Sequence, residues 1–182
     1  MRPDDRERVP PEEVTLGDGR AVTVRPLSTA DAEALGDFYE SVPREDLRHY
    51  WPHPLTREEA RKKAARADEP TFVCLVAADG AEIVGYAWFQ WREGAASSGF
   101  GACIRRGWQS CGLGGVLMTR LLRIAERLGP PVMHLTVQLA NERAVKLYRR
   151  MGFEVVRQQM TTRPPERGFV DEPEYYMERR VR

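Results

Sequence analysis

The chain has 182 residues, 42% of them apolar and 30% charged, and its 28 Lys and Arg nearly cancel its 27 Asp and Glu to leave a formal charge of +1. That length and mixture suit one folded domain with a sizeable core and exclude a disordered or fibrous chain. The arginines are scattered among acids, giving no basic stretch for nucleic acid, and no apolar run approaches the ~20 residues of a membrane span.

Met1 to Glu13 is charged and proline-bearing, unlike a signal peptide or anchor, and reads as a disordered arm (residues 1–13) ahead of a single domain over residues 14–182. Cys74, Cys103 and Cys111 form no CxxC or His/Cys pattern, so neither a disulfide framework nor a metal is expected. Reduced thiols in the cytoplasm are the natural setting.

Order is expected from about Val14, through a turn at Gly17-Asp18-Gly19, into an alternating strand at Ala21–Arg25. Ser28 with Asp31 marks a helix start, and the helix runs to about Ser41 before Pro43. A short helical piece at Arg44–Tyr50 leads to the loop Trp51–Pro54, and Thr56 with Glu59 caps a helix through Ala67. Thr71–Ala77 and Glu82–Trp91 form a hairpin about Ala78-Asp79-Gly80, followed by a strand at about Ser98–Ile104. After a glycine-rich loop, Leu113, Val116, Leu117, Leu121, Ile124, Ala125 and Leu128 recur at helical spacing, so a helix spans about Gly112–Leu128. A strand at Val132–Val137, a helix at Asn141–Met151, a strand at Gly152–Gln158, a loop at Thr161–Phe169 and a last strand at Tyr175–Val181 complete the order. A mixed sheet flanked by helices is the packing this order favours.

Between strand and helix, glycines at 112, 114 and 115 leave backbone N–H groups free to point outward where the helix dipole is positive. That suits an anion such as a phosphate. Close helix–sheet packing explains the glycines equally well. A P-loop needs Lys and then Ser or Thr after its last glycine, and Val116-Leu117 stand there. The spacing Gly112, Gly114, Gly115 also departs from the dinucleotide pattern G-x-G-x-x-G.

Gln109-x-x-Gly112-x-Gly114 resembles the Q/R-x-x-G-x-G/A motif of the GNAT (Gcn5-related N-acetyltransferase) superfamily. Ile104 falls where that family ends its fourth strand. Leu135-Thr136-Val137 with Asn141 to Phe153 resembles its second signature, and Val24-Arg25-Pro26-Leu27 with Asp31 resembles a common opening. The likeness covers roughly residues 20 to 180. Part of it, Gly107 to Met118 with Arg25-Pro26-Leu27, is similar to GNAT domains of bacterial protein-lysine acetyltransferases.

The resemblance implies an α/β GNAT fold: a mixed, mostly antiparallel sheet of about seven strands flanked by helices, with strands four and five splayed. It implies transfer of an acetyl group from acetyl-CoA, a co-substrate, to a primary amine by direct attack. A small-molecule amine is favoured, with a protein lysine or N-terminal amine next. Cofactor contacts fall to Cys103, Ile104 and Arg106 beside the pantetheine arm, to Gln109, Ser110, Cys111, Gly112, Leu113, Gly114 and Gly115 around the pyrophosphate, and to Asn141. Tyr148 matches the family's general acid, although its helical stripe with Ala144, Leu147 and Met151 reads by spacing as core. Asn141 is also a good helix N-cap.

A lysine-like amine is neutral in only about one molecule in a few thousand at pH 7, so a base is wanted. The family often carries a glutamate in the fourth strand, but Ser98–Cys103 holds no acid. Glu82, Glu93, Glu142, Glu172, Glu174 and His134 are the substitutes in view, and none is assigned. His49, Tyr50, Trp51, His53, Trp88, Trp91, Tyr175 and Tyr176 are candidates to line the acceptor pocket. A homodimer is left open. The rival reading is a non-catalytic acyl-CoA sensor or scaffold, which the missing acid favours.

Overall fold

The computed structural model describes residues 1, 5, 9–50, 52–162 and 168–182. Trp51, the middle of the expected loop at Thr161–Phe169 and much of the expected arm lie outside the described residues. Eight strands among the described residues form one sheet: β1 (Glu12–Thr15), β2 (Ala21–Pro26), β3 (Phe72–Asp79), β4 (Glu82–Gln90), β5 (Ser97–Ile104), β6 (Val132–Gln138), β7 (Glu154–Met160) and β8 (Pro173–Arg180). Their order is β1-β2-β3-β4-β5-β6-β8-β7. The sequence anticipates about seven. The additional one is the short edge strand β1, whose register with β2 is set by the turn at Gly17–Gly19, where Gly19 takes φ 85.

Every pairing is antiparallel except β5 with β6. That parallel pairing lasts for three residue pairs, Ser97↔Val132 to Gly99↔His134, and then stops. From Phe100 onward β5 keeps its partner β4 but has none on the β6 side. The expected splay is thus a gap in the sheet with one unpaired edge of β5 facing it.

Helices cover both faces. On one, α3 (Leu113–Leu128) and α4 (Glu142–Arg150) pack against the sheet, and on the other α1 (Ala32–Glu40) and α2 (Arg57–Ala65) do so. The α3 stripe of Leu113, Leu117, Leu121 and Ala125 is buried against Val73, Leu75 and Ala77 of β3. Each such leucine contributes ~1.5–3 kcal/mol of transfer free energy. The expected helix start at Ser28 is a single tight turn, Thr29–Asp31, before α1 proper. The Asp31 carboxylate accepts the Ser28 N–H at 2.7 Å and N–H groups of both terminal Arg25 nitrogens, Nη1 and Nη2, at 2.7 Å, which ties the end of β2 to this turn. At α2, Thr56 Oγ1 accepts the Glu59 N–H at 3.2 Å, as its spacing anticipates.

One irregularity aims the chain at the site. Residues of β4 alternate between the two cores until Val84 and Gly85, where the register to β3 jumps from Ile83↔Ala78 to Gly85↔Ala77 and leaves Val84 as an extra residue. Such a bulge bends its strand and increases the local twist. The Val84 carbonyl then accepts the Arg105 N–H at 2.9 Å, just where β5 turns into the glycine loop. A side chain at Gly85 would come within 3.3 Å of Ile104 and Leu113, so the bulge leaves room only for glycine without displacing them.

Candidate active site

The loop Arg105–Gly112 runs from β5 to α3 through a single turn at Arg106–Trp108. Trp108 is buried beneath the Arg20 guanidinium, 3.9 Å from its ring centroid, and the Cys111 thiol is turned inward to the Trp108 carbonyl at 2.9 Å. Gly17 N–H donates to the Cys111 carbonyl at 2.9 Å, pinning the loop to the β1–β2 turn. Two residues take the left-handed conformation: Ser110 at φ 65 and Gly112 at φ 97. Non-glycine residues held there cost ~1–3 kcal/mol and gather at ligand clamps. The first α3 bond runs from Val116 N–H to the Gly112 carbonyl, so the amides ahead of it are not consumed by the helix. The first turn of α3 carries no acidic residue.

The Gln109 side chain shapes the outer wall. Its amide nitrogen donates to the Ile104 carbonyl at 3.0 Å and its oxygen accepts from Arg143 at 2.6 Å. Arg143, near the start of α4, is thereby held against the glycine loop. Only its place two residues after a capping asparagine could have pointed to this role. The Asn141 side chain accepts the Ala144 N–H at 3.2 Å, so it is the N-cap of α4 and also lines the cleft.

These elements enclose a cleft of about 390 Å³. Eight of the eleven residues that the resemblance assigns to the cofactor line it: Cys103, Ile104, Gln109, Ser110, Gly112, Gly114, Gly115 and Asn141. Arg106, Cys111 and Leu113 lie outside the lining. The Arg106 side chain is engaged by Asp46 (2.6 and 3.0 Å) and Glu45 (3.1 Å), while the Cys111 and Leu113 side chains belong to the core. The lining also takes in Asp46, Met118 and Arg150, which the sequence did not single out.

A second cavity of about 170 Å³ opens in the gap between β5 and β6, lined by Gly101, Leu135, Thr136 and Gln138 among others. The two cavities share His49, Tyr50, Phe100, Ala102 and Tyr148. These five residues form the junction of the two cavities. A larger groove of about 880 Å³, lined by Leu122, Arg123, Gly152, Val156 and Arg179 among others, shares only Arg150 with the cleft and no residue of the glycine loop.

Tyr148 is fixed from two sides. Its ring meets Phe100 edge-on at 6.0 Å and Phe153 at 6.1 Å. Its carbonyl accepts the Phe153 N–H at 3.0 Å while Arg149 accepts the Gly152 N–H at 3.0 Å, with Gly152 at φ 82. This is the Schellman ending of a helix, in which glycine supplies the left-handed residue and an apolar pair closes over it. The Gly-Phe of the sequence therefore serves Tyr148 directly. Burial pushes the Tyr148 hydroxyl up to about 12, so it remains a proton donor throughout the neutral range. Burial likewise pushes the Cys103 thiol up to about 12, which keeps it un-ionised.

The acid–base substitutes separate clearly. Glu82 is paired with Arg105 at 2.7 Å, Glu142 with Lys146 at 3.6 Å and Glu172 with Arg48 at 2.7 Å. Glu174 is buried beside Gln159 at 2.8 Å, opposite Gln138, and Glu93 is an exposed turn residue. His134 stacks on Tyr176, with burial lowering its pKa against the opposing pull of Glu178, and its Nδ1 is buried without a hydrogen bond. None of these six lines either cavity. Of the aromatic candidates, His49 and Tyr50 do. Trp88 and Trp91 pack in or against the cores, Tyr175 against α4, and Tyr176 under Arg157 at 3.7 Å.

Behind the junction lies a hydrogen-bonded chain. His53 Nδ1 faces the Pro54 carbonyl at 2.7 Å and so carries its proton, which leaves Nε2 to accept the Tyr50 hydroxyl at 2.9 Å. Tyr50 in turn accepts the Tyr86 hydroxyl at 2.5 Å and faces the Trp88 N–H at 3.4 Å. Burial raises the Tyr50 and Tyr86 pKa values. Lys63 completes the cluster, 4.6 Å from the Trp88 ring centroid and 5.2 Å from that of Phe72, and burial pushes its pKa down to about 8. Among the described residues, no group of three or more His, Cys, Asp and Glu side chains is arranged to hold a metal ion.

The sequence model of the Acetyltransferase (GNAT) family matches residues 37–153. A curated mycothiol acetyltransferase from Brachybacterium faecium is 28% identical over 166 residues, covering 84% of this chain and 50% of that protein. The chain thus spans about half the length of the curated relative it matches. The GNAT domain of S. lividans PAT shares the fold at a TM-score of 0.74 and 22% identity, over 93% of this chain and 96% of that one. So does yncA of Salmonella typhimurium, solved with acetyl-CoA, at 0.73 and 20% identity, over 88% and 94%.

Proposed function

Because this chain belongs to the GNAT acetyltransferase family, we propose that it moves an acetyl group from acetyl-CoA to a primary amine by direct attack. The observation that carries the reading is the meeting of two cavities at Tyr148, one beginning at the glycine loop and the other opening through the gap between β5 and β6. The residues present fit acetyl-CoA. Free amides at the start of α3, with Arg143 beside them, suit a pyrophosphate. The unpaired edge of β5 at Cys103 and Ile104 suits the amide-bearing pantetheine arm, which would take the place of a strand.

Attack by the amine places negative charge on the thioester oxygen and then on sulfur. Tyr148, with its hydroxyl protonated and its ring clamped, donates to the departing sulfur. The acceptor enters from the second cavity. Its small volume, and the small-molecule substrate in the mycothiol relative's name, favour a small-molecule amine over a protein lysine or N-terminus.

Titration with acetyl-CoA followed by CoA release against a panel of small amines and peptides tests the reading. Binding accompanied by acceptor-dependent release supports it. Tight binding with no release from any acceptor would favour the sensor instead.

A further inference from the structure

His49 occupies the one place where a proton must leave. It ends the turn Asp46–His49 and lines both cavities, as do Tyr50 and Tyr148. Among the described residues at that junction these three are the titratable ones. Tyr148 is the acid of the proposed reaction, and Tyr50, whose hydroxyl donates its proton to His53 and whose pKa is raised by burial, is no base at neutral pH. The family's fourth strand, β5 here, brings no carboxylate, and none of the six substitutes named from the sequence reaches either cavity. We propose that His49 accepts the proton of the acceptor ammonium, an assignment that rests on the transferase reading above.

The turn is held so that its last residue stays over the junction. On one side Arg106 grips Glu45 and Asp46, and on the other Arg48 makes a two-point contact with Glu172 at 2.7 and 2.9 Å. Both straps join the turn to elements that frame the site: the glycine loop and the approach to β8. Among the described residues, the charged and titratable groups around His49 are Glu45, Asp46 and Arg48 on its own segment and Arg106 from the loop. Tyr50 and His53 lie beyond the turn, Cys103 on β5, Arg143, Tyr148 and Arg150 on α4, and Glu172 before β8. His49 is exposed, so a proton taken from the acceptor passes directly to water. Histidine is the side chain whose ordinary titration falls between pH 5 and 8, which suits a base at neutral pH.

The step balances as follows. The His49 imidazole takes one proton from the ammonium, and the freed nitrogen lone pair forms a bond to the thioester carbon. As the carbon–sulfur bond breaks, its electron pair goes to sulfur, which receives the Tyr148 proton. The new amide nitrogen gives up its second proton to the Tyr148 oxygen. The products are amide, CoA thiol and one proton on His49.

The test compares His49→Gln and His49→Ala with the wild type in acceptor kcat/KM from pH 5.5 to 10, with thermal unfolding as the control for folding. The expected result is a loss of ~10²-fold or more at pH 7 that narrows toward pH 10, where the amine is neutral by itself. The acid limb of the wild-type profile gives way in the variants to a rise that follows the amine's own ionisation, and added imidazole restores the Ala variant at least partly. A variant profile parallel to the wild type, or a uniform loss at every pH with no imidazole rescue, would overturn the assignment and leave the transferase reading standing. No acceptor-dependent release by the wild type would instead remove the transferase reading, and this assignment with it.

Discussion

Gly101→Ala probes the packing that shapes the acceptor side of the gap. Gly101 pairs with Trp88 across β4 and β5, and a methyl group there would lie 2.6, 2.7 and 2.9 Å from three atoms of the indole. Optimal carbon contacts are at ~3.5–4.0 Å, so the ring must retreat by about 1 Å. It has little freedom to do so. Trp88 is 5% exposed, its N–H faces the Tyr50 hydroxyl, and Lys63 covers its face. Overpacking of this kind costs ~1–3 kcal/mol. In a domain of this size ~2 kcal/mol lowers Tm by ~4–8 °C. Because Gly101 lines the second cavity and not the cofactor cleft, acceptor KM should rise while acetyl-CoA affinity stays within about twofold. Thermal denaturation and calorimetric titration measure the two effects. Trp88→Leu in the Gly101→Ala background should recover part of the stability. A Gly101→Ala protein as stable as the wild type would refute the reasoning.

Tyr148→Phe keeps the ring between Phe100 and Phe153 but removes the hydroxyl. Turnover should fall ~10²-fold or more with acetyl-CoA affinity nearly unchanged, as read by CoA release and titration. With its hydroxyl pushed up to about 12, Tyr148 itself imposes no decline in wild-type kcat between pH 8 and 10. Gly112→Ala forces a φ of 97 on a residue with a side chain, though nothing lies within 4 Å of the new methyl. The cost is backbone strain of ~1–2 kcal/mol, and because the strain falls on the loop amides, acetyl-CoA Kd should rise by about tenfold. Lys63→Met should stabilise the protein at pH 7. The folded state holds Lys63 at about 8 against an ordinary 10.5, a penalty on the order of 3 kcal/mol that the cation–π contacts partly offset. Between those two pH values the unfolded chain binds more protons, so wild-type stability gains from this group as pH rises, and urea denaturation of the Met variant should lack that gain.

Much of this was legible from residue order. The α3 stripe, the hairpin of β3 and β4, and the glycine spacing each reflect a local rule, because helix period and turn chemistry act over a few residues. The Gly152-Phe153 pair was legible as a motif, but its role as the clamp on Tyr148 needed the capping bonds. What stayed hidden depends on pairing between distant segments. The Val84 bulge is invisible because β4 reads as one apolar run, and only its register against β3 exposes the extra residue. Arg143 reads as one more surface arginine until Gln109 is seen to hold it. Tyr50, Tyr86 and His53 come from two segments more than thirty residues apart, and their linkage follows from burial, since buried hydroxyls must find partners. The helix expected from Ser28 begins later because the Asp31 carboxylate closes on Ser28 N–H in one tight turn.

The central claim is that acetyl-CoA lies along the unpaired edge of β5 with its phosphates at the start of α3 and its sulfur at Tyr148. A crystal structure of the wild-type protein with acetyl-CoA tests it most directly. Pyrophosphate oxygens should lie ~2.7–3.2 Å from amides of the Gln109–Gly115 loop. The thioester should sit at the junction of the two cavities, its sulfur facing the Tyr148 hydroxyl and its carbonyl carbon open to the gap beside β6. Acetyl-CoA seated in the groove beside β7, or in the cleft with its thioester turned away from Tyr148, would contradict the account.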